Sequence, residues 1–294
     1  LYTLFAVTAS EGDTMDTVEG IMTEKVVTCA PTASTLEVQE LMVKNHISRV
    51  VVDAKNKPIG IITQKDVVDF LLADKSRRGL EEIKAEEVMS KELDTVKPTA
   101  PVSDAARTMI GEKISSLVVI DEDGKLKGIV TKADLATYLA RKGFEIYTVR
   151  DFMTSNPITV KPSHSIFLAV SLMAEHEISR VVVTDEENEP VGIITLADVT
   201  MISNLLKPAK VLMEGKPIFM KGLVALPRDI YLLTARDFMT PHPICISRDA
   251  DLADAAKLMT RHAISGLPVT DNSGKLVGIV TKSDLTRAVA SMKG

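Results

Sequence analysis

Four times this chain sets a threonine and an aspartate three positions apart, each time after a glycine-led β-branched run: "GIITQKDV" from Gly60, "GIVTKADL" from Gly128, "GIITLADV" from Gly192 and "GIVTKSDL" from Gly278. The pairs are Thr63 with Asp66, Thr131 with Asp134, Thr195 with Asp198, and Thr281 with Asp284. A hydroxyl and a carboxylate at this spacing suit two kinds of chemistry. Where a strand turns into a helix they make a capping box, and the acid complements the helix dipole. The same helix start is a ready anion site. A carboxylate one turn further on can accept both hydroxyls of a ribose, as acidic residues do in dinucleotide folds. The preceding glycine permits a close backbone approach. The residues by themselves leave both readings open.

Cations near these pairs divide the copies into two types. Arg49 and Arg180 follow an Ile-Ser pair in copies one and three; Ser116 and Gly266 hold that position in copies two and four. Copies two and four instead carry Lys132 and Lys282 directly after the threonine. Copy three has Leu196 there, and copy one has Gln64 followed by Lys65. A guanidinium grips phosphate bidentately, whereas lysine acts as a point charge. The two arginines suit either phosphate contact or pairing with acids across neighbouring copies.

The elements that must position these residues also repeat. Met22, Met89, Met153 and Met239 each precede an isoleucine by 25 residues: Ile47, Ile114, Ile178 and Ile264. From that isoleucine to the glycine is 13 or 14 residues, and from glycine to aspartate always 6. Such a fixed period marks a repeat architecture. Ten residues after each methionine stands Thr32, Thr99, Ser163 or Asp249, all good helix N-cap types, three of them behind a proline. An apolar stripe at helical spacing follows: Val102, Ala105, Ala106 and Met109 in copy two, Ile166, Ala169, Val170 and Met173 in copy three, Leu252, Ala255, Ala256 and Met259 in copy four. Copy one is more ragged, with Thr35, Val38, Gln39 and Met42. Then come a β-branched strand, a turn, the glycine-led strand and a closing helix. A short strand such as "VVTCA" precedes each helix. The expected fold is α/β (α+β): four β-α-β-β-α units paired into two modules, with small mixed sheets packed against helices. Each unit of about 60 residues is too small to bury a sufficient core alone, so pairing is expected. Boundaries are read as a tail at 1–14, repeats at 15–80, 81–145, 146–206 and 231–294, and an insertion at 207–230. The insertion contains "PIFM" and "GLVAL", too apolar for a solvated loop, and is expected to pack on the second module or on a partner.

Bulk properties narrow the function classes. The chain has 294 residues, 45% hydrophobic and 26% charged, with a net charge of −5. It lacks a long basic run, and aromatics are only 4%, which argues against nucleic-acid binding by phosphate tracking or base stacking. Two distant cysteines and five histidines without metal-ligand spacing give a metal site no support. No stretch nears the ~20 apolar residues of a membrane span. The apolar start lacks a basic region and makes a poor signal peptide. A cytoplasmic setting is expected.

The [FIV]-M-[TS] opening, the I-S-[RSG] strand and the G-h-h-T-x-x-D close, in four copies from about Asp16 to Ala290, resemble the CBS domain family, named for cystathionine beta-synthase. The resemblance implies two tandem modules whose clefts hold adenosyl ligands such as AMP, ADP, ATP or S-adenosylmethionine, with no catalytic cofactor. It implies that Asp66, Asp134, Asp198 and Asp284 hold ribose hydroxyls and that Thr63, Thr131, Thr195 and Thr281 touch phosphate. Ile47, Ser48, Ile114, Ser115, Ile178, Ser179, Ile264 and Ser265 would line the adenine slot, completed by Thr28, Thr95 and Thr159. Copy four has "CIS" at that last position. Arg49, Arg180, Lys65, Lys132, Lys282, Ser116 and Gly266 would set the charge around the ligand.

The leading expectation is a non-catalytic adenine-nucleotide sensor with an unidentified protein partner, homodimerisation being an option. A nucleic-acid-binding protein and an interaction module without nucleotide are the alternatives. An enzyme is disfavoured: no Walker loop or G-x-S-x-G nucleophile motif occurs, and repeated equivalent aspartates suit equivalent binding sites better than one asymmetric centre.

Overall fold

The structure is a computed structural model that describes residues 16–73, 78–143, 147–196, 198 and 233–292. The tail at 1–14 and the insertion at 207–230 lie outside the described residues. Contacts divide the chain into two units, Leu1–Lys142 with Leu285–Gly294, and Gly143–Asp284.

In the first unit, β1 (Thr28–Cys29), β2 (Arg49–Ala54) and β3 (Lys57–Thr63) form one sheet, and β4 (Thr95–Val96), β5 (Ser116–Ile120) and β6 (Leu126–Thr131) another. The short strand runs parallel to the central one, and the central and third strands are antiparallel. The sheets are therefore mixed, as expected. In the second unit, β8 (Thr159–Val160), β9 (Arg180–Thr184) and β10 (Pro190–Thr195) repeat this order, as do β12 (Ile246–Ser247), β13 (Gly266–Thr270) and β14 (Leu276–Thr281). Here each sheet gains a fourth strand from the other repeat: β7 (Thr154–Ser155) pairs with β14, and β11 (Thr240–Pro241) with β10.

Strand alternation explains how each repeat faces two ways. Val50 and Val52 point into a core with Val38 and Met42 of the helix Thr35–Lys44. Val51 points the other way and meets Val118 and Ile129 of the second repeat. The first repeat's core is completed by Ile83, Ala85 and Val88, which open the second repeat. In the second unit, Ala235 of the fourth repeat closes the core around Ile166, Ala169 and Met173. The first and third repeats thus each complete their core with residues of their partner.

The methionines anchor this exchange. Thr23 and Ile129 trade both backbone hydrogen bonds, at 2.9 and 3.0 Å, and Ser90 and Ile61 do the same at 3.0 and 3.1 Å. Each methionine then lies over the glycine of the partner repeat. A Cβ built on Gly128 would stand 2.6 Å from Met22 Sδ, and one on Gly278 would stand 2.6 Å from Met153 Sδ. Gly60 seats Met89 and Gly192 seats Met239 in the same way. The close approach that these glycines permit is thus to a neighbouring thioether.

The expected N-caps need correction. The four helices start at Thr35, Val102, Ile166 and Leu252, and their N-cap residues are Ser34, Pro101, Ser165 and Asp251. Thr32, Thr99, Ser163 and Asp249 instead occupy the third corner of a β-turn. The turns are closed by Ala33 N to Ala30 O, Ala100 N to Lys97 O, His164 N to Lys161 O and Ala250 N to Ser247 O, at 2.9–3.1 Å. Proline fixes φ at the second position of such a turn, so the Pro-Thr and Pro-Ser dipeptides mark the corner and the helix starts later.

Candidate functional site

Each Thr-x-x-Asp pair sits where the third strand of a repeat becomes a helix, as at Gln64–Ala73, Lys132–Lys142 and Lys282–Ser291. The carboxylate half of the capping box is formed in all four copies. Aspartate Oδ2 accepts from the threonine backbone N–H and from its hydroxyl, every distance lying between 2.6 and 2.8 Å. The box uses one carboxylate oxygen of two. None of the four acids is fully exposed: Asp66, Asp134 and Asp198 are partly buried, and Asp284 is 5% exposed.

The Ile-Ser segment is bound to the same helix start. The carbonyls of Ser48, Ser115, Ser179 and Ser265 accept from the backbone N–H of Gln64, Lys132, Leu196 and Lys282, at 3.1–3.2 Å. Ahead of each isoleucine a residue takes the left-handed conformation: His46, Lys113, Glu177 and Ala263, with φ between 52° and 55°. This bend ends the preceding helix and turns the chain into the strand; the isoleucine N–H donates back to Met42, Met109, Met173 or Met259 carbonyl at 2.9–3.0 Å. None of the four is glycine, so the sequence carried no signal for the bend. The isoleucines are half-buried and the serines exposed in every repeat. Thr28, Thr95 and Thr159 lie on the short parallel strands, in register with Val51, Val118 and Val182. Thr95 is exposed and the other two are half-buried. In the fourth repeat the matching place, six residues after Met239, falls to Cys245, half-buried and just ahead of the strand that begins at Ile246.

The cations are distributed differently from their order in sequence. Arg49 reaches out of its own repeat: Nη1 donates to the carbonyl of Ser115 at 2.8 Å and Nη2 to the hydroxyl of Ser48 at 3.0 Å. Its charge is felt at Asp134. Burial pushes the Arg49 guanidinium below its ordinary pKa, and Asp134 opposes that fall. Burial likewise raises the Asp134 carboxyl, against the hydrogen bonds of Thr131 and the charge of Arg49. Arg180 repeats the arrangement. It donates to Ser179 Oγ at 3.1 Å, its Nη1 lies against Gly266 where a side chain would project, and its charge faces Asp284. Lys132 and Lys282, both partly buried, stand at the first helical position, two residues ahead of those same acids. Lys65 faces outward, its side chain 82% exposed and 2.6 Å from Asp69. Sequence order assigned the arginines to the first and third repeats; the fold delivers them to the second and fourth. The one signal available was the alternation itself, arginine facing serine or glycine at the equivalent position.

Elsewhere, a shallow concavity of about 600 Å³ is lined by Ser90, Lys91, Glu92, Leu93, Asp94 and Glu112 and holds none of the Thr–Asp pairs. Among the described residues no helix is long and apolar enough to cross a membrane.

Comparison with known proteins fits this geometry. The family described as the CBS domain matches residues 18–73, 85–141, 149–203 and 235–291. The uncharacterized protein MJ1404 of Methanocaldococcus jannaschii is 31% identical over 280 residues, 94% of this chain and 62% of that protein. The chain therefore spans less than two thirds of that relative's length. MJ1225 of the same organism is 26% identical over 282 residues, 91% of this chain and 96% of that one. Its crystal structure shares the fold, with a TM-score of 0.71 at 24% identity, covering 92% of this chain and 99% of that chain. CBSX2 of Arabidopsis thaliana is 31% identical over 158 residues, 50% of this chain and 65% of that protein. CBSX2 has been crystallised in complex with AMP; that structure covers 48% of this chain and 95% of that chain at 32% identity, with a TM-score of 0.38.

Proposed function

The chain belongs to the CBS domain family, and we propose that its paired repeats form regulatory clefts for adenosyl ligands and carry no catalytic centre. The observation behind this reading is the fourfold Thr–Asp junction. In every copy the carboxylate is held by its capping box through Oδ2, at least partly buried, beside the Ile-Ser backbone. A preorganised acceptor of this kind loses little freedom on binding a ribose diol. In this reading Asp66, Asp134, Asp198 and Asp284 accept from ribose, and the threonine junctions face phosphate. The Ile-Ser segments, with Thr28, Thr95 and Thr159, line the base. The sequence likeness to CBSX2, a protein crystallised with AMP, supports the ligand class. Cys29 and Cys245 are free thiols, which suits a reducing compartment such as the cytoplasm.

Regulation requires that ligand bind one arrangement of the repeats better than another. The paired cores are shared between repeats, so a ligand bridging a pair acts on packing that both repeats depend on. A protein partner or a second copy of the chain would read the change.

Calorimetry with AMP, ADP, ATP and S-adenosylmethionine tests the reading on wild type and on Asp66→Asn, Asp134→Asn, Asp198→Asn and Asp284→Asn. Asparagine keeps an oxygen for the capping box but loses the charge. The expected outcome is binding by wild type, weakened about 10-fold or more at each substituted cleft, as for loss of a hydrogen bond to a charged group. Wild-type binding that all four variants leave unchanged would leave the junctions with a capping role only.

A further inference from the structure

We infer that the two clefts of each pair are chemically unequal: those of Asp134 and Asp284 take a phosphorylated adenosyl ligand, and those of Asp66 and Asp198 one without phosphate. This rests on the ligand class proposed above and specifies it cleft by cleft.

Positive charge is shared unequally between the two clefts of a pair. The guanidinium of Arg49 crosses from the first repeat to the Ser115 carbonyl, in the Ile-Ser segment bound to the helix start that holds Asp134. Lys132 stands at the first position of that helix. That cleft thus gains a guanidinium from the other repeat, and its helix opens on a lysine. In the second unit Arg180 passes over Gly266 toward Asp284, and Lys282 opens that helix. Among the described residues the other two clefts have no equivalent of either feature. Ser116 and Gly266 hold the register positions that Arg49 and Arg180 hold in their own repeats, each opposite a junction threonine, and neither carries a charge. At the helix start, Gln64 and Leu196 replace the lysines, and Leu196 is 50% exposed. Lys65, one position further, extends outward to Asp69.

A phosphate dianion needs cationic donors to offset the loss of its hydration. Arg49 meets that need at low cost. Its present hydrogen bonds go to a carbonyl and a hydroxyl, so a phosphate oxygen would replace neutral acceptors with a charged one. In the clefts of Asp66 and Asp198 a phosphate would meet a carboxylate without either cation. A neutral nucleoside or a sulfonium cation suits those clefts.

The test uses the full chain, with Arg49→Met, Arg180→Met and the double variant, and AMP, adenosine and S-adenosylmethionine as probes in calorimetry. Each single variant is expected to lose one AMP site, weakened about 10- to 100-fold. The double variant loses both, while adenosine and S-adenosylmethionine bind as before. Ser116→Arg is expected to strengthen AMP at the Asp66 cleft and not adenosine. If the arginine variants leave AMP unchanged while Asp134→Asn and Asp284→Asn abolish it, the inference fails and the ligand class stands. If they weaken adenosine as much as AMP, the arginines only hold the fold and the inference fails. If wild type binds none of the three probes, both readings fall.

Discussion

Replacing Gly128 by alanine probes the contact that locks the first pair together. The new Cβ would meet Met22 Sδ at 2.6 Å, Met22 Cγ at 3.0 Å and the Thr23 carbonyl oxygen at 3.0 Å. Relaxed contacts between such atoms lie near 3.5–4.0 Å, so roughly 0.5–1 Å of overlap must be relieved. The thioether can swing aside, because methionine has three rotatable side-chain bonds. The Thr23 carbonyl cannot, since it accepts from Ile129 N at 3.0 Å in the exchanged bridge. Overpacking of this kind costs about 1–3 kcal/mol. Removing a glycine from a strand returns about 0.5–1 kcal/mol of backbone entropy. The net expectation is a loss of about 1–2 kcal/mol, or roughly 2–8 °C in the melting of the first unit. Pairing the change with Met22→Ala separates clash from other causes. With the side chain gone, only the carbonyl contact remains, so the double variant should be less destabilised than the sum of the singles by about 1 kcal/mol. Urea unfolding of wild type, both singles and the double measures this coupling. Strict additivity would refute the seating of Met22 on Gly128 and, with it, the reciprocal pairing that brings Arg49 to Asp134.

Two further outcomes follow from local chemistry. Ser34 and Glu37 form a reciprocal capping box at 3.2 and 2.7 Å, so Ser34→Ala should cost about 1 kcal/mol in urea unfolding, and an unchanged midpoint would count against the cap. Asp134 has a folded-state pKa raised above 3.8, chiefly by burial. Its contribution to stability is therefore full below the unfolded value and is lost as pH rises through the raised one. Asp134→Asn lacks that loss, so its unfolding free energy relative to wild type should climb as pH rises from below 3.8. A flat or falling difference would contradict the burial argument.

The sequence alone was enough for whatever depends on neighbours along the chain. The four-copy register, the β-branched central strands, the helical stripes and the Thr-x-x-Asp junctions are short-range patterns, and the elements formed where those patterns lay. The one local misreading, at Thr32, Thr99, Ser163 and Asp249, arose because a turn corner and a helix cap favour the same residue types. Tertiary structure decided what depends on contact between repeats. The glycine of each third strand seats the partner's methionine, and nothing in either residue's neighbourhood names the other. Arg49 hydrogen-bonds a residue 66 positions away, so the cleft that receives its charge is set by how two half-cores close on each other. A capping box is fixed within one turn of chain, but the charge of a cleft is the sum over two repeats, and only their packing performs that sum.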